Sequence, residues 1–296
     1  MDVVEILLIV LGAVIMLQDI VWYAHFLRNT RDVLSAGDKK DAMWRRLGLV
    51  LLVFFFIGYL FVGLFSEPDM MMALILLFGS VFVTIVLFIM FKLLDNVKEQ
   101  SLDIAKVLIS VIDARDPNLN GHSVQVQQVT MLLYEHLPHA MKAQVNPVSL
   151  EYASLMHDVG KLGIPESILN KPDKLTEEER ELMRQHPKIG VDLLRPLHNF
   201  EEVENWIYCH HERMDGNGYY HVPPEDIPLA ARIMAIADTY SAITMRRSYK
   251  APRTHEEAVA IIRDVAGTQL DPELVEIFLT IPKEELERCI PDKVKY

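Results

Sequence analysis

Long apolar runs fill the first third of the chain, and apolar positions after that recur at helical spacing among polar ones. Three runs have the length of a membrane-crossing helix, which takes about 20 residues. They are Val3 to Leu27, Leu47 to Phe65 and Met70 to Leu94. The second and third carry no charge before Lys92, whereas the first contains Asp19 and His25. Both are read as lying near the inner interface, where polar side chains reach the headgroups. The start Met1-Asp2-Val3-Val4-Glu5 lacks the basic segment of a signal peptide. Residues 1–94 are therefore expected to be a membrane region of three helices.

Basic residues orient that region. Arg28, Arg31, Lys39, Lys40, Arg45 and Arg46 lie between the first and second runs, and none lies in Ser66-Glu67-Pro68-Asp69. The positive-inside rule puts the first loop in the cytoplasm, the N-terminus outside and everything after the third run inside. The chain then reads as a multi-pass protein with a cytoplasmic C-terminal part.

A connector is expected over 95–112. Leu94, Val97, Ile104, Leu108 and Val111 recur in steps of three and four, with Ser101 in the vacant place. Two patterns produce such a stripe: a short parallel coiled coil between two copies, or a helix packed on its own domain. The preferred reading is the homodimer, which would link membrane to domain mechanically.

Over 109–296 the pattern is helical throughout. Thr176-Glu177-Glu178-Glu179 is a capping box that starts a helix. Pro117, Pro147, Pro165, Pro172, Pro187 and Pro223-Pro224 separate the segments. No strand-like alternation appears, so the fold class is all-α, with seven or eight helices in the soluble part.

Composition then narrows the partners. The hydrophobic fraction of 51% and mean hydropathy of +0.17 reflect the first third. The net charge of −12 falls almost entirely on the soluble part, which argues against binding DNA or RNA duplexes. Cys209 and Cys289 make no disulfide framework and read as packing residues.

The chemistry lies in the histidines. His157-Asp158 are adjacent, and Lys161 follows; His210-His211 precede Glu212-Arg213; His186 lies between the two pairs. Asp238 sits in an otherwise apolar helical stretch, where a carboxylate is costly unless paired or coordinated. His122 opens another helical stretch. Imidazole and carboxylate together suit first-row divalent metals, and one carboxylate can bridge two ions that clamp a phosphate. Lys161, four residues after His157, is expected on the same helical face, where it would neutralise a phosphate oxygen. His136, His139, His198, His221 and His255 read as surface residues, and Glu212 and Asp215 as partners of Arg213.

The segment Leu155-Met156-His157-Asp158-Val159-Gly160-Lys161 resembles the His-Asp motif of HD-GYP domains. The stretch His210-His211-Glu212-Arg213-Met214-Asp215-Gly216-Asn217-Gly218-Tyr219 is similar to their second signature. Ile168 to Pro172, His186 to Gly190, Arg232 to Asp238 and Gly267 to Pro272 match at the family's spacing, so the resemblance covers about Ile109 to Leu279. It implies a helical HD-superfamily fold and a bacterial, metal-dependent cyclic di-GMP phosphodiesterase, which the three apolar runs would anchor in the inner membrane. It also implies that the enzyme cleaves its substrate to linear pGpG or GMP with a hydroxide held between two metals. Carried over by position, the metal ligands are His157, Asp158, His186, His210, His211 and Asp238, with His122 as a further candidate. Asp158 is the expected bridge. Lys161, Arg213, Arg247 and Lys250 are the expected phosphate-binding residues. The metals would be two divalent ions, iron or manganese ahead of zinc, nickel or magnesium. A diguanylate-cyclase-type protein is an implied partner. The alternatives are an enzyme for another cyclic dinucleotide, such as cyclic GMP-AMP, and a non-catalytic cyclic di-GMP receptor.

Three positions depart from the family pattern. Tyr220 replaces the signature proline, Asn118 stands where three-metal relatives have a glutamate, and Met245-Arg246 replaces a small-acidic pair. Asn118 is the reason to expect two metals rather than three.

Overall fold

The computed structural model describes residues 3–29, 39–66, 69–113, 121–197, 200–245 and 252–289. Arg247, Lys250, Asn118, Arg246 and His198, all singled out above, lie outside the described residues, as do Arg31, Glu67 and Pro68. The chain forms two compact units, Met1–Ser101 and Leu102–Tyr296.

In the first unit, α1 spans Val3–Asn29 and α2 spans Lys39–Phe65; α3, Met70–Asp113, begins here and ends in the second unit. Each is long and apolar enough to cross a membrane. Large apolar side chains such as Leu7, Phe54, Phe61, Phe78 and Phe88 face outward, as a lipid-facing surface requires. Met16, Leu52, Tyr59 and Leu87 form the inner contact. Asp19 faces the neighbouring helices. It is fully buried, and its Oδ2 accepts a hydrogen bond from the Thr84 hydroxyl at 3.0 Å. His25 is exposed.

The second unit is all-α. After α3 come α4 (His122–His136), α5 (His139–Lys142), α6 (Pro147–Met156), α7 (Glu166–Leu169) and α8 (Glu177–Met183). They are followed by α9 (His186–Leu194), α10 (Glu201–Cys209), α11 (Leu229–Thr244), α12 (His255–Asp264), α13 (Pro272–Phe278) and α14 (Lys283–Arg288). Among the described residues the only β pairing is one bridge between Ala266 and Leu270. The helices outnumber the seven or eight expected because α5, α7 and α14 have only four to six residues each. Proline at each of their N-caps starts a turn that the sequence pattern is too short to reveal.

The core explains why these segments dock. Val126, Val129 and Leu133 of α4 meet Ile233, Ile236 and Tyr240 of α11, with Leu150 of α6, Ile207 of α10 and Phe278 of α13 filling the same core. Burying such side chains stabilises the unit by about 1.5–3 kcal/mol each before entropy is counted. Capping boxes fix the starts of α8 at Thr176–Glu179 and of α12 at Thr254–Glu257. Cys209 and Cys289 are free and buried.

The last turns of α3 pack one face into this core through Ala105, Ile109 and Ile112. The stripe at Leu94, Val97, Ile104, Leu108 and Val111 is exposed, each residue by 42–62%. So Ile104, Leu108 and Val111 are not on the face of α3 that packs into the second unit.

Candidate metal centre

Five helices deliver the site. α6 ends at Met156, and His157 and Asp158 follow in the turn that leads into a 3₁₀ segment, Val159–Gly163. α9 begins with His186; His210 and His211 follow α10; α11 carries Asp238; α4 begins with His122. Gly160 allows the closest approach. A Cβ there would collide with the His186 carbonyl oxygen and the Gly190 nitrogen, so only glycine lets the 3₁₀ segment lie against α9.

Backbone carbonyls aim three of the rings. The Nδ1–H of His157 donates to Ser154 O at 2.8 Å, that of His186 to Met183 O at 2.9 Å, and that of His210 to Ile207 O at 2.5 Å. Each bond runs to the carbonyl three residues back, one of the groups that a helix end or turn leaves open. A neutral imidazole with Nδ1 protonated presents its Nε2 lone pair. The three Nε2 atoms therefore converge as acceptors, and those of His186 and His210 lie 3.5 Å apart. Two facing lone pairs repel unless a cation sits between them.

Asp158 is at the centre. Its Oδ1 is 3.2 Å from His186 Nε2, and its Oδ2 is 3.4 Å from His157 Nε2 and 3.8 Å from His122 Nε2. Two ligand groups result: Asp158, His186, His210 and His211; and His122, His157 and Asp158. Asp158 is common to both. Asp238 lies beside the second group, its Oδ1 3.2 Å from His122 Nε2, and its Oδ2 is 3.9 Å from His211 Nδ1. Among the described residues, His157 Nε2 and Asp158 Oδ1 are buried without a hydrogen-bond partner. Orphaned atoms of this kind are costly in a protein interior, and metal coordination is the bond that this donor set would complete. The residues fit a pair of divalent ions.

Burial sets the protonation states. It drives the His211 ring down to about 3 and His210 well below its ordinary value, with the neighbouring histidines adding to the effect. His122 is also lowered by burial. For Asp158 burial opposes ionisation, but the Lys161 and His157 charges win and hold it well below the usual carboxylate range. Asp238 is likewise held low, by His122, against burial. For His157 burial again favours the neutral ring, but the Asp158 and Asp238 charges outweigh it and raise its value. The site thus offers neutral imidazoles at His122, His210 and His211 beside ionised carboxylates, the forms that bind metal.

Lys161 reaches the site by a different route from the expected one. It lies in the 3₁₀ segment rather than on an α-helical face shared with His157, and its Nζ meets Asp158 Oδ2 at 2.6 Å. Arg213 grips Asp215 through Nε at 3.0 Å and Nη2 at 2.7 Å. Glu212 does not pair with Arg213. It is buried and accepts the backbone N–H groups of Tyr220 at 2.7 Å and Val222 at 3.0 Å. His139 and His221 are exposed, whereas His136 and His255 are half-buried.

Sequence reasoning missed the aromatic wall. The Tyr219 ring lies 4.5 Å from the His211 ring, with the Arg184 guanidinium over it at 5.8 Å. Tyr220 stacks on Tyr208 at 4.2 Å, and its hydroxyl donates to Arg184 O at 2.9 Å. Nothing in the spacing of these residues signals that they meet.

A family model for the HD domain matches residues 106–274, more than half of the chain. This chain belongs to the HD-domain family. A Vibrio cholerae protein named as a cyclic di-GMP phosphodiesterase is 36% identical to it over 204 residues, covering 64% of this chain and 42% of that protein. A second V. cholerae protein, named as 3'3'-cGAMP-specific phosphodiesterase 2, is also 36% identical, over 64% of this chain and 36% of its own length. This HD-domain chain thus spans half or less of the length of the curated relatives it matches. The solved structure of a V. cholerae cyclic GMP-AMP specific phosphodiesterase matches with a TM-score of 0.43 and 21% identity, over 63% of this chain and 53% of that one.

Proposed function

We propose that the chain is a membrane-anchored, dinuclear-metal phosphodiesterase that hydrolyses a cyclic dinucleotide, cyclic di-GMP in the first instance, to linear pGpG or GMP. The observation that carries this is the pair of ligand groups joined through buried Asp158. One group would be His122, His157, Asp158 and Asp238, and the other Asp158, His186, His210 and His211. The ions, iron or manganese by choice of ligand, would supply an activated water and positive charge at the scissile phosphate. Lys161 would hold Asp158 ionised and stand beside the phosphate, partly exposed at 17%. Tyr219 would wall the site, its phenol pushed up to about 12 by burial and so kept as a neutral donor. Arg213, already paired with Asp215, would serve the substrate from the rim. Arg247 and Lys250 complete the proposed phosphate-binding set.

The three apolar helices would anchor the chain in the inner membrane, with the N-terminus outside and the catalytic unit in the cytoplasm. The exposed stripe of α3 suits a second copy of the same helix, and a diguanylate-cyclase-type protein remains part of this reading. Cyclic GMP-AMP is the second substrate reading, because relatives named for each nucleotide are equally similar to this chain.

The test is purification of the full chain in detergent without oxygen, with iron or manganese supplied. Cyclic di-GMP, cyclic GMP-AMP and cyclic di-AMP are then incubated in parallel with the parent and with Asp158→Ala. Linear product from cyclic di-GMP in the parent alone is the expected result. Preference for cyclic GMP-AMP would replace the substrate, and two bound metals without turnover of any of the three would overturn the activity.

A further inference from the structure

His122 differs from the three rings aimed by their own helix ends. It is the first residue of α4, and its orientation comes instead from α11. Its Nδ1 lies 2.8 Å from Ser241 Oγ, and Ser241 Oγ lies 2.6 Å from Gln125 Oε1. His122, Gln125 and Ser241 are each buried to within a few per cent.

The directions of these bonds can be worked out from the far end. Thr244 has one hydroxyl hydrogen, and it goes to Tyr240 O at 2.9 Å. Towards Gln125 the Thr244 oxygen is therefore an acceptor, facing Gln125 Nε2 at 3.5 Å. That turns Gln125 Oε1 towards Ser241. The carboxamide oxygen can only accept, so the single hydrogen of Ser241 is committed to it. Ser241 Oγ is left with lone pairs for His122, and His122 must donate from Nδ1. Nε2, 3.8 Å from Asp158 Oδ2 and 3.2 Å from Asp238 Oδ1, is then left as the lone-pair atom, an arrangement that a cation between the ring and the two carboxylates stabilises.

We propose that Gln125 and Ser241, set by Thr244, are positioning residues that write the tautomer of His122 and thereby decide whether the second metal is held. The proposal rests on the dinuclear reading above. Without the Gln125 acceptor, Ser241 can turn its hydrogen to His122 Nδ1. The ring proton then moves to Nε2, which removes the ligand lone pair. Removing a partner that orients a ligand typically weakens metal affinity about 10–100-fold.

The experiment uses the full chain in detergent and three variants, Gln125→Leu, Gln125→Glu and Ser241→Ala. Metal per chain is measured after iron or manganese loading. The histidine tautomers of the zinc-loaded chain, which is diamagnetic, are read from nitrogen chemical shifts after ¹⁵N-histidine labelling, with the His122 signal identified by its loss in His122→Gln. The expected result is two ions in the parent and in Gln125→Glu, which keeps the acceptor, and one ion in Gln125→Leu. His122 should carry its proton on Nδ1 in the first two and on Nε2 in Gln125→Leu. Ser241→Ala should also lose one ion. A His122 tautomer unchanged in Gln125→Leu overturns the proposal, as does full metal content in that variant. A parent that binds one ion or none overturns the dinuclear reading, and the proposal with it.

Discussion

Replacing Tyr220 by proline would restore the residue that the HD-GYP signature carries, yet it should loosen this protein. Three contacts of Tyr220 would be lost. Its N–H donates to buried Glu212 at 2.7 Å, its hydroxyl to Arg184 O at 2.9 Å, and its ring stacks on Tyr208 at 4.2 Å with planes 11° apart. Proline lacks the N–H, the hydroxyl and the aromatic ring. A hydrogen bond to a charged group contributes about 1.5–3 kcal/mol and a neutral one about 1 kcal/mol. Aromatic stacking adds about 0.5–1.5 kcal/mol beyond burial. Neighbouring contributions are not additive, so the expected local loss for Tyr220→Pro is on the order of 3 kcal/mol. Tyr220→Phe removes the hydroxyl bond alone and should cost about 1 kcal/mol. Tyr220→Ala keeps the N–H and should fall between the two. The assay is hydrogen exchange of the Val222 amide, which donates to the other oxygen of Glu212. A 3 kcal/mol loss corresponds to about a hundredfold loss of protection. Protection in Tyr220→Pro within about threefold of the parent would refute the reasoning, because it would mean that Glu212 does not depend on that N–H.

Gly160→Ala places a Cβ against the His186 carbonyl and the Gly190 nitrogen. Overpacking of this kind costs about 1–3 kcal/mol, so thermal unfolding should move down while metal content falls as α9 is pushed from Asp158. In the metal-free chain, His211 stays neutral down to about pH 3 when folded, whereas its ordinary value is 6.5. The unfolded chain takes up that proton first, so stability should be lost as pH falls from about 6.5 to about 3; urea midpoints that do not change over that range would contradict the burial argument. Ile104→Lys with Leu108→Lys puts charge on the exposed α3 stripe and should convert dimers to monomers in light scattering, with helix content unchanged. An unchanged mass would remove the second copy from the proposal.

The all-α class was legible because no stretch after the third apolar run alternates like a strand, and proline and capping residues mark the helix starts. The short helices α5, α7 and α14 were not, since four to six residues carry no periodicity. Adjacency exposed His157-Asp158 and His210-His211, and cost exposed Asp238, because an unpaired carboxylate in an apolar helix demands a reason. His122 was harder to place. Its partners Ser241 and Asp238 lie more than a hundred residues away, and no spacing rule connects α4 to α11. The face that Asp19 occupies was not legible either, because its partner Thr84 lies on another helix.

The different ways in which the imidazoles are aimed give the site an order of decay. His157, His186 and His210 take their bearing from the main chain, which every residue supplies, so substitutions around them leave the rings where they are. His122 takes its bearing from two side chains that drift can erase. A lineage relaxed from selection would shed the His122 ion first and keep the His186–His210 ion longest. It would pass through a one-metal descendant whose sequence still carries every coordinating histidine. Counting ligands would misjudge such a protein, and positions 125 and 241 would tell it apart.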